Sequence, residues 1–196
     1  MFNLFDFQDE DLSFLINETG QSVTVNGISD KVLITNKSIG EFEERYIHSP
    51  ELINRGSLIE WNANKYLVTS EALEKRGGKY KVIMRNCNGE IEVKNYESVL
   101  IGYGSQTGKP IYEDRYVDST YVNGIVDKKT IGGTSDQAIN VLENEFILRI
   151  QDNDYNREKF VLNFEFLLYG EKYKIINVNY YLRGILEINI EFVSSE

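Results

Sequence analysis

The sequence predicts a mainly β protein: an antiparallel barrel or sandwich, as one domain or two small β lobes, with a short N-terminal helix. Three observations carry that prediction. Short runs rich in Val, Ile, Tyr and Thr, cut by Gly and Asn, fill most of the chain. Helical periodicity is confined to two brief stretches. At 196 residues the chain is long enough to bury a core in either arrangement.

The first 20 residues form a separate N-terminal segment. After Gln8, Leu12, Leu15 and Ile16 recur at helical spacing, and Asp9, Glu10 and Asp11 lie where a helix N-terminus favours negative charge. Such a helix packs on its own protein or docks on a neighbour. Residues 21–101 read as a β lobe, with strand patterns in QSVTVNG, DKVLITNK, SLIEWNANKYLVT, KYKVIMRNCNGEIEV and ESVLIGYG. The charged block EALEKRGG at 71–78 reads as a solvated hairpin loop between two of these strands. Residues 102–136, rich in Gly, Ser, Thr and Asp, have the least regular pattern and read as an extended loop region carrying Tyr103, Tyr112, Tyr116 and Tyr121. A second short helix is expected near Asp136 to Asn144. The remainder, 137–196, returns to strands in EFILRIQ, KFVLNFEFLLYG, KYKIINVNYY and GILEINIEFV, which complete the same domain or form a second lobe. In the last run Glu187, Asn189 and Glu191 alternate with Leu186, Ile188, Ile190 and Phe192, as in a half-buried strand.

The segments LIEWNANKYLV at 58–68 and LLYGEKYKI at 167–175 share a layout: an apolar strand ending in an aromatic, a tight turn, then Lys-Tyr opening a second strand. Two related lobes and one hairpin grammar used twice both explain this.

Composition argues against several functions. The formal charge of −10 disfavours general attraction to a phosphate backbone. No apolar run approaches the roughly 20 residues needed to cross a bilayer, and the N-terminus lacks a basic region before an apolar stretch, so the chain reads as neither secreted nor membrane-spanning. The single cysteine, Cys87, forms no intrachain disulfide and reads as a packing residue.

Catalytic motifs fail in turn. His48 is the only histidine, in ERYIHSPEL, so a Ser-His-Asp triad or a four-ligand zinc site has almost nothing to draw on. In GYGSQTGKP the first glycine of a phosphate loop falls on Tyr103, and Pro110 replaces the Ser or Thr that would hold magnesium. Asp152, Asp154 and Asn156 alternate as in a calcium loop, but Arg157 takes the glycine position and Asn163 the bidentate glutamate position; a polar hairpin loop is expected instead. The 31 Asp and Glu residues leave a glycosidase-like carboxylate pair open by counting alone. No catalytic, cofactor-binding or metal-binding residues are assigned, and the expectation is a protein that is not an enzyme. The 13 tyrosines suit protein interfaces, β cores and carbohydrate surfaces alike. Leu12, Leu15, Ile16, Tyr103, Tyr112, Tyr116 and Tyr121 are the candidate interaction residues.

Over 56–93 a Gly-polar-apolar strand, Gly56 to Trp61, is followed by a tight turn, a Lys-aromatic-Leu-Val strand from Lys65 to Val68, and an Arg-x-Cys-Asn at Arg85 to Asn88. In this the chain resembles small structural proteins encoded among the head and tail genes of phages of Gram-positive bacteria. The ending FLLYGEKYKIINVNYYLRGILEINI is similar to that group's ending, and the two patches cover about a third of the chain. The resemblance implies a β-rich virion protein, assembled in the host cytoplasm, acting in a ring at the neck as a head-tail connector, head closure or tail-joining component. Its implied partners are copies of itself and portal, adaptor or tail proteins, with packaged DNA passing nearby but no sequence-specific nucleic acid and no membrane. The alternative is a tail or baseplate β-module that binds a receptor or carbohydrate.

Overall fold

The computed structural model describes residues 10–75, 79–103, 108–129 and 145–193. Helix α1 (Glu10–Thr19) ends where Gly20 N donates to Ile16 O at 2.8 Å, and the chain enters a first sheet. Its strands are β1 (Gln21–Val25), β2 (Ile28–Asn36), β3 (Glu44–Ser49), β4 (Leu58–Trp61), β5 (Asn64–Val68), β6 (Leu73–Lys75) and β7 (Lys79–Asn86). Their order is β3-β2-β1-β4-β5-β7-β6, and β3 also pairs with β7 along Glu44–Ser49, so the sheet curls back on itself. Inside it lie Val23, Val32, Ile47, Ile59, Tyr66 and Met84, each at most 5% exposed.

The second body is a closed antiparallel barrel of β8 (Gly89–Tyr103), β9 (Pro110–Lys128), β10 (Glu145–Gln151), β11 (Glu165–Leu168), β12 (Glu171–Asn179) and β13 (Ile185–Phe192). The strands run in the order β10-β13-β12-β11-β8-β9. Leu148, Ile150, Ile175, Ile188 and Ile190 fill its centre, and Phe160, Phe164, Phe166 and Tyr173 form a connected group of rings within it.

Turn chemistry explains the tight hairpins. Asn26-Gly27, Asn62-Ala63 and Tyr169-Gly170 each place two successive residues at positive φ, the two-residue turn whose twist matches that of the flanking strands. The similar hairpins at 58–68 and 167–175 therefore lie in different β bodies. The same turn recurs between β1 and β2, so a shared hairpin grammar also operates.

Three sequence expectations change. The body boundary falls at Cys87 and Asn88 rather than after residue 101, because both edges of β7 are occupied, one by β3 and the other by β5 and β6. The strand at 89–101 is thereby excluded from the first sheet and opens the barrel. The region 102–136, read as an extended loop, contains β9. Asp152 to Asn156 is a helix start rather than a hairpin loop. Asn153 caps the short helix α2 (Asp154–Lys159) by accepting from Asn156 N, which accounts for the spaced oxygen side chains, and β11 does not begin until Glu165. The helix expected at 136–144 lies outside the described residues, as do 76–78 of the charged block and 104–107 of the Gly-rich turn.

The Arg-x-Cys-Asn segment joins the two bodies. Arg85 donates to both carboxylate oxygens of Asp127 on β9, at 2.8 and 2.5 Å. Arg149 on β10 bridges Asp127 and Glu187 on β13, each at 2.8 Å, and Tyr181 donates to Glu187 at 2.9 Å. Cys87 packs on a small cluster of Leu67, Ile125 and Ile185, drawn from both bodies. Asn88 exchanges two hydrogen bonds with the backbone of Val126. Between the same two bodies, Gly56 and Gly184 touch backbone to backbone: a Cβ on Gly56 would lie 1.7 Å from Gly184 O, and both residues hold φ +86°. Only glycine permits that approach.

Candidate interaction surface

The barrel wall extends into an arm. β8 pairs with β11 only at Glu92–Leu167, and β9 pairs with β10 only from Gly124 to Lys128. Beyond those points, among the described residues, the two strands pair only with each other, out to Tyr103 and Pro110. Ten residues of strand at about 3.3 Å each carry the hairpin roughly 30 Å from the barrel. The same two strands form the barrel wall, and β9 carries Asp127 of the interbody ion-pair chain, so the arm is continuous with the barrel.

Register assigns the arm two unlike faces. Side chains alternate along each strand, and bulges at Val117 and Ile101 fall where the pairing shifts. Followed through both bulges, the pairs place Tyr96, Tyr103, Tyr112, Tyr116 and Tyr121 on one face, together with Leu100. These tyrosines are 54–68% exposed. Tyr96 meets Tyr116 edge-on, ring centroids 6.1 Å apart. Tyr116 OH lies 3.0 Å from Ser119 Oγ, which donates to Glu92 at 2.6 Å, so the face is braced at its root by polar contacts. Ser98 donates to Asp114 at 2.5 Å further out. The opposite face carries Asn95, Glu97, Val99, Glu113, Arg115 and Asp118, with Asn95 donating to Asp118 and Thr120 at 2.9 Å each. Where β8 parts from β11, a cavity of about 220 Å³ opens beside Tyr96, lined also by Lys94, Phe164, Leu167 and Lys172.

The candidate residues thus separate into two groups. Tyr103, Tyr112, Tyr116 and Tyr121 come together on the arm. The N-terminal group does not join them: Ile16 is 3% exposed, Leu15 of the same helix is 44% exposed, and Lys31 of β2 donates to Asn17 O at 2.5 Å. The helix therefore packs Ile16 on its own protein. Leu12 belongs to α1, with its side chain outside the described residues. Sequence reasoning did not single out Tyr96 and Leu100, although ESVLIGYG was read as a strand. Their partners across the arm, Tyr116 and Tyr112, were the missing signal.

The chemistry elsewhere is subdued. Burial pushes the Cys87 thiol up to about 12, against an ordinary value of 9.0, which suppresses the thiolate. His48, on β3, lies with Nε2 3.1 Å from Thr35 Oγ1 on β2.

Comparison with known proteins covers residues 3–191. Residues 3–86 match the YomX N-terminal domain and residues 59–191 match the YomX C-terminal domain. The first match ends at Asn86, where β7 ends and the interbody joint begins. Over 165 residues the chain is 30% identical to the SPbeta prophage-derived uncharacterized protein YomX of Bacillus subtilis (strain 168), covering 82% of this chain and 74% of that relative. No solved structure matches. With both domains matched, the chain belongs to the YomX family, which includes that prophage-derived relative.

Proposed function

We propose that this protein is a non-enzymatic structural component of the phage virion that assembles with copies of itself, in a ring at the head-tail junction, and engages neighbouring virion proteins there. The observation that carries this reading is the arm. The two-body core projects a hairpin about 30 Å long, one face of which displays five exposed tyrosines. Tyrosine offers large contact area at small entropic cost and is enriched in protein interfaces. An exposed row of aromatics on a projecting element is best explained by a partner that covers it. Phage origin and the resemblance to head and tail gene products favour other virion subunits as that partner. Electron microscopy of the purified full chain tests this reading: rings or regular multimers support it, whereas single particles at every concentration, with no co-purification with phage particles, contradict it.

The same tyrosines favour one second reading, a receptor- or carbohydrate-binding tail module. A glycan-array signal lost on replacing Tyr96 and Tyr116 would select it, since Tyr96 lines the cavity at the root of the arm and Tyr116 meets it edge-on.

A further inference from the structure

The arm has an unpaired edge as well as a tyrosine face. Among the described residues, no strand pairs with the outer edge of β9 from Pro110 to Asn123. An exposed strand edge invites pairing with another strand unless charge, proline or a bulge discourages it. Here a proline opens the strand and a bulge lies at Val117, leaving the short segment between them available.

That segment is chemically matched about its centre. Outward from Asp114, Glu113 is balanced by Arg115, Tyr112 by Tyr116, and Ile111 by Val117. Such a sequence is complementary to itself in one antiparallel register. We propose that the outer edge of β9 pairs antiparallel with the same edge of a second copy, centred on Asp114, joining the two arms into a four-stranded sheet. Each Glu113 then sits opposite the partner's Arg115, giving two ion pairs on the polar face. Each Tyr112 sits opposite the partner's Tyr116 on the tyrosine face, where cross-strand aromatic pairs stabilise a sheet.

Neighbouring registers lack this fit. Centring on Arg115 opposes two arginines and sets Glu113 against Val117; centring on Glu113 opposes two glutamates and sets Arg115 against Ile111. The free edge of β8 offers nothing comparable, since pairing about Ser98 places Glu97 opposite Val99. The one unfavourable pair in the favoured register is Asp114 against itself at the two-fold axis.

The pairing rests on the proposal that copies of this chain assemble, but it is not the contact that closes a ring. A two-fold contact is complete with two copies, whereas a ring needs two different patches that meet. The interface is small, so affinity on the order of micromolar is expected.

Cysteine cross-linking of the full chain tests the register. In either hydrogen-bonding phase the two Asp114 Cα atoms lie about 4.5–5.5 Å apart, within the span of a disulfide. The only native cysteine, Cys87, sits in the interbody joint rather than on the arm. Asp114→Cys is expected to form a covalent dimer under mild oxidation while the wild type does not. Glu113→Cys and Arg115→Cys are expected to cross-link to each other when mixed, but not each to itself. Glu113→Arg and Arg115→Glu should each weaken dimerisation about tenfold through like charges facing each other, and the double exchange should restore it. Asp114→Asn should tighten it several-fold. If the wild type self-associates yet Asp114→Cys stays uncross-linked and the charge exchanges change nothing, this register is wrong and the assembly reading stands. A wild type that is monomeric at hundreds of micromolar overturns both.

Discussion

At the scale of single residues, Asp127 holds the two bodies together. It accepts from Arg85 in one body and Arg149 in the other, with side-chain exposures of 10%, 27% and 17% for Arg85, Arg149 and Asp127. Removing the carboxylate strands Arg85 in a poorly solvated place and leaves Arg149 with Glu187 alone, and breaking such a network costs far more than a surface pair contributes. Asp127→Ala is expected to lower stability by about 3 kcal/mol in urea unfolding. Titration gives a second expectation. Burial, and then the hydrogen bond to Glu43, pushes the Tyr66 hydroxyl up to about 12 from 10.0, while burial does the same to Cys87 from 9.0. The fold favours the neutral forms of both, so their contribution is complete below pH 9 and declines as pH rises towards 12. Glu43 acts in the opposite direction: hydrogen bonds from Asn86, Tyr66 and Arg45 lower its pKa, so its contribution is complete above pH 4.5 and lost below. Thermal melts should be flat across neutral pH and fall on both sides. A thiol reagent should leave Cys87 unmodified at pH 7 until the protein unfolds.

At the scale of elements, legibility tracked burial. Strands with one face in a core, such as β2 and β13, show period-two apolar alternation because water excludes one face and solvates the other. β9 shows no such pattern over Pro110–Ser119 because neither face is buried; its order comes from pairing with β8, and the bulge at Val117 shifts the phase midway. A strand held by pairing alone therefore looks like a loop in sequence. Helix α2 was missed for another reason. With six residues it is too short for helical periodicity, and its one clear signal, the capping Asn153, also fits a turn. Asn153→Ala removes that cap and is expected to cost about 1 kcal/mol, read as a lowered urea midpoint.

At the scale of the whole molecule, two lobes were open in the sequence but the place of their division was not legible, since KYKVIMRNCNGEIEV looks like continuous strand structure within one lobe. The pairing of β7 on both edges decides otherwise, and that depends on β3, more than 30 residues away. The tyrosines of the future arm were visible as a cluster before their common face was, because the face depends on register. Gly56 and Gly184 bring the two bodies into backbone contact. Gly184→Ala, whose Cβ would lie 2.0 Å from Arg55 O at a positive φ, should separate the bodies and cost more than about 3 kcal/mol, with loss of a single cooperative transition. The proposed role of the arm is to meet a partner through its tyrosine face. Sedimentation equilibrium of the full chain, compared with a Tyr96→Ser, Tyr112→Ser, Tyr116→Ser variant, tests that claim most directly. Concentration-dependent multimers are expected for the wild type and a monomer of unchanged melting temperature for the variant; equal assembly of the two proteins, or a wild type that is monomeric throughout, would overturn the proposed role of the arm.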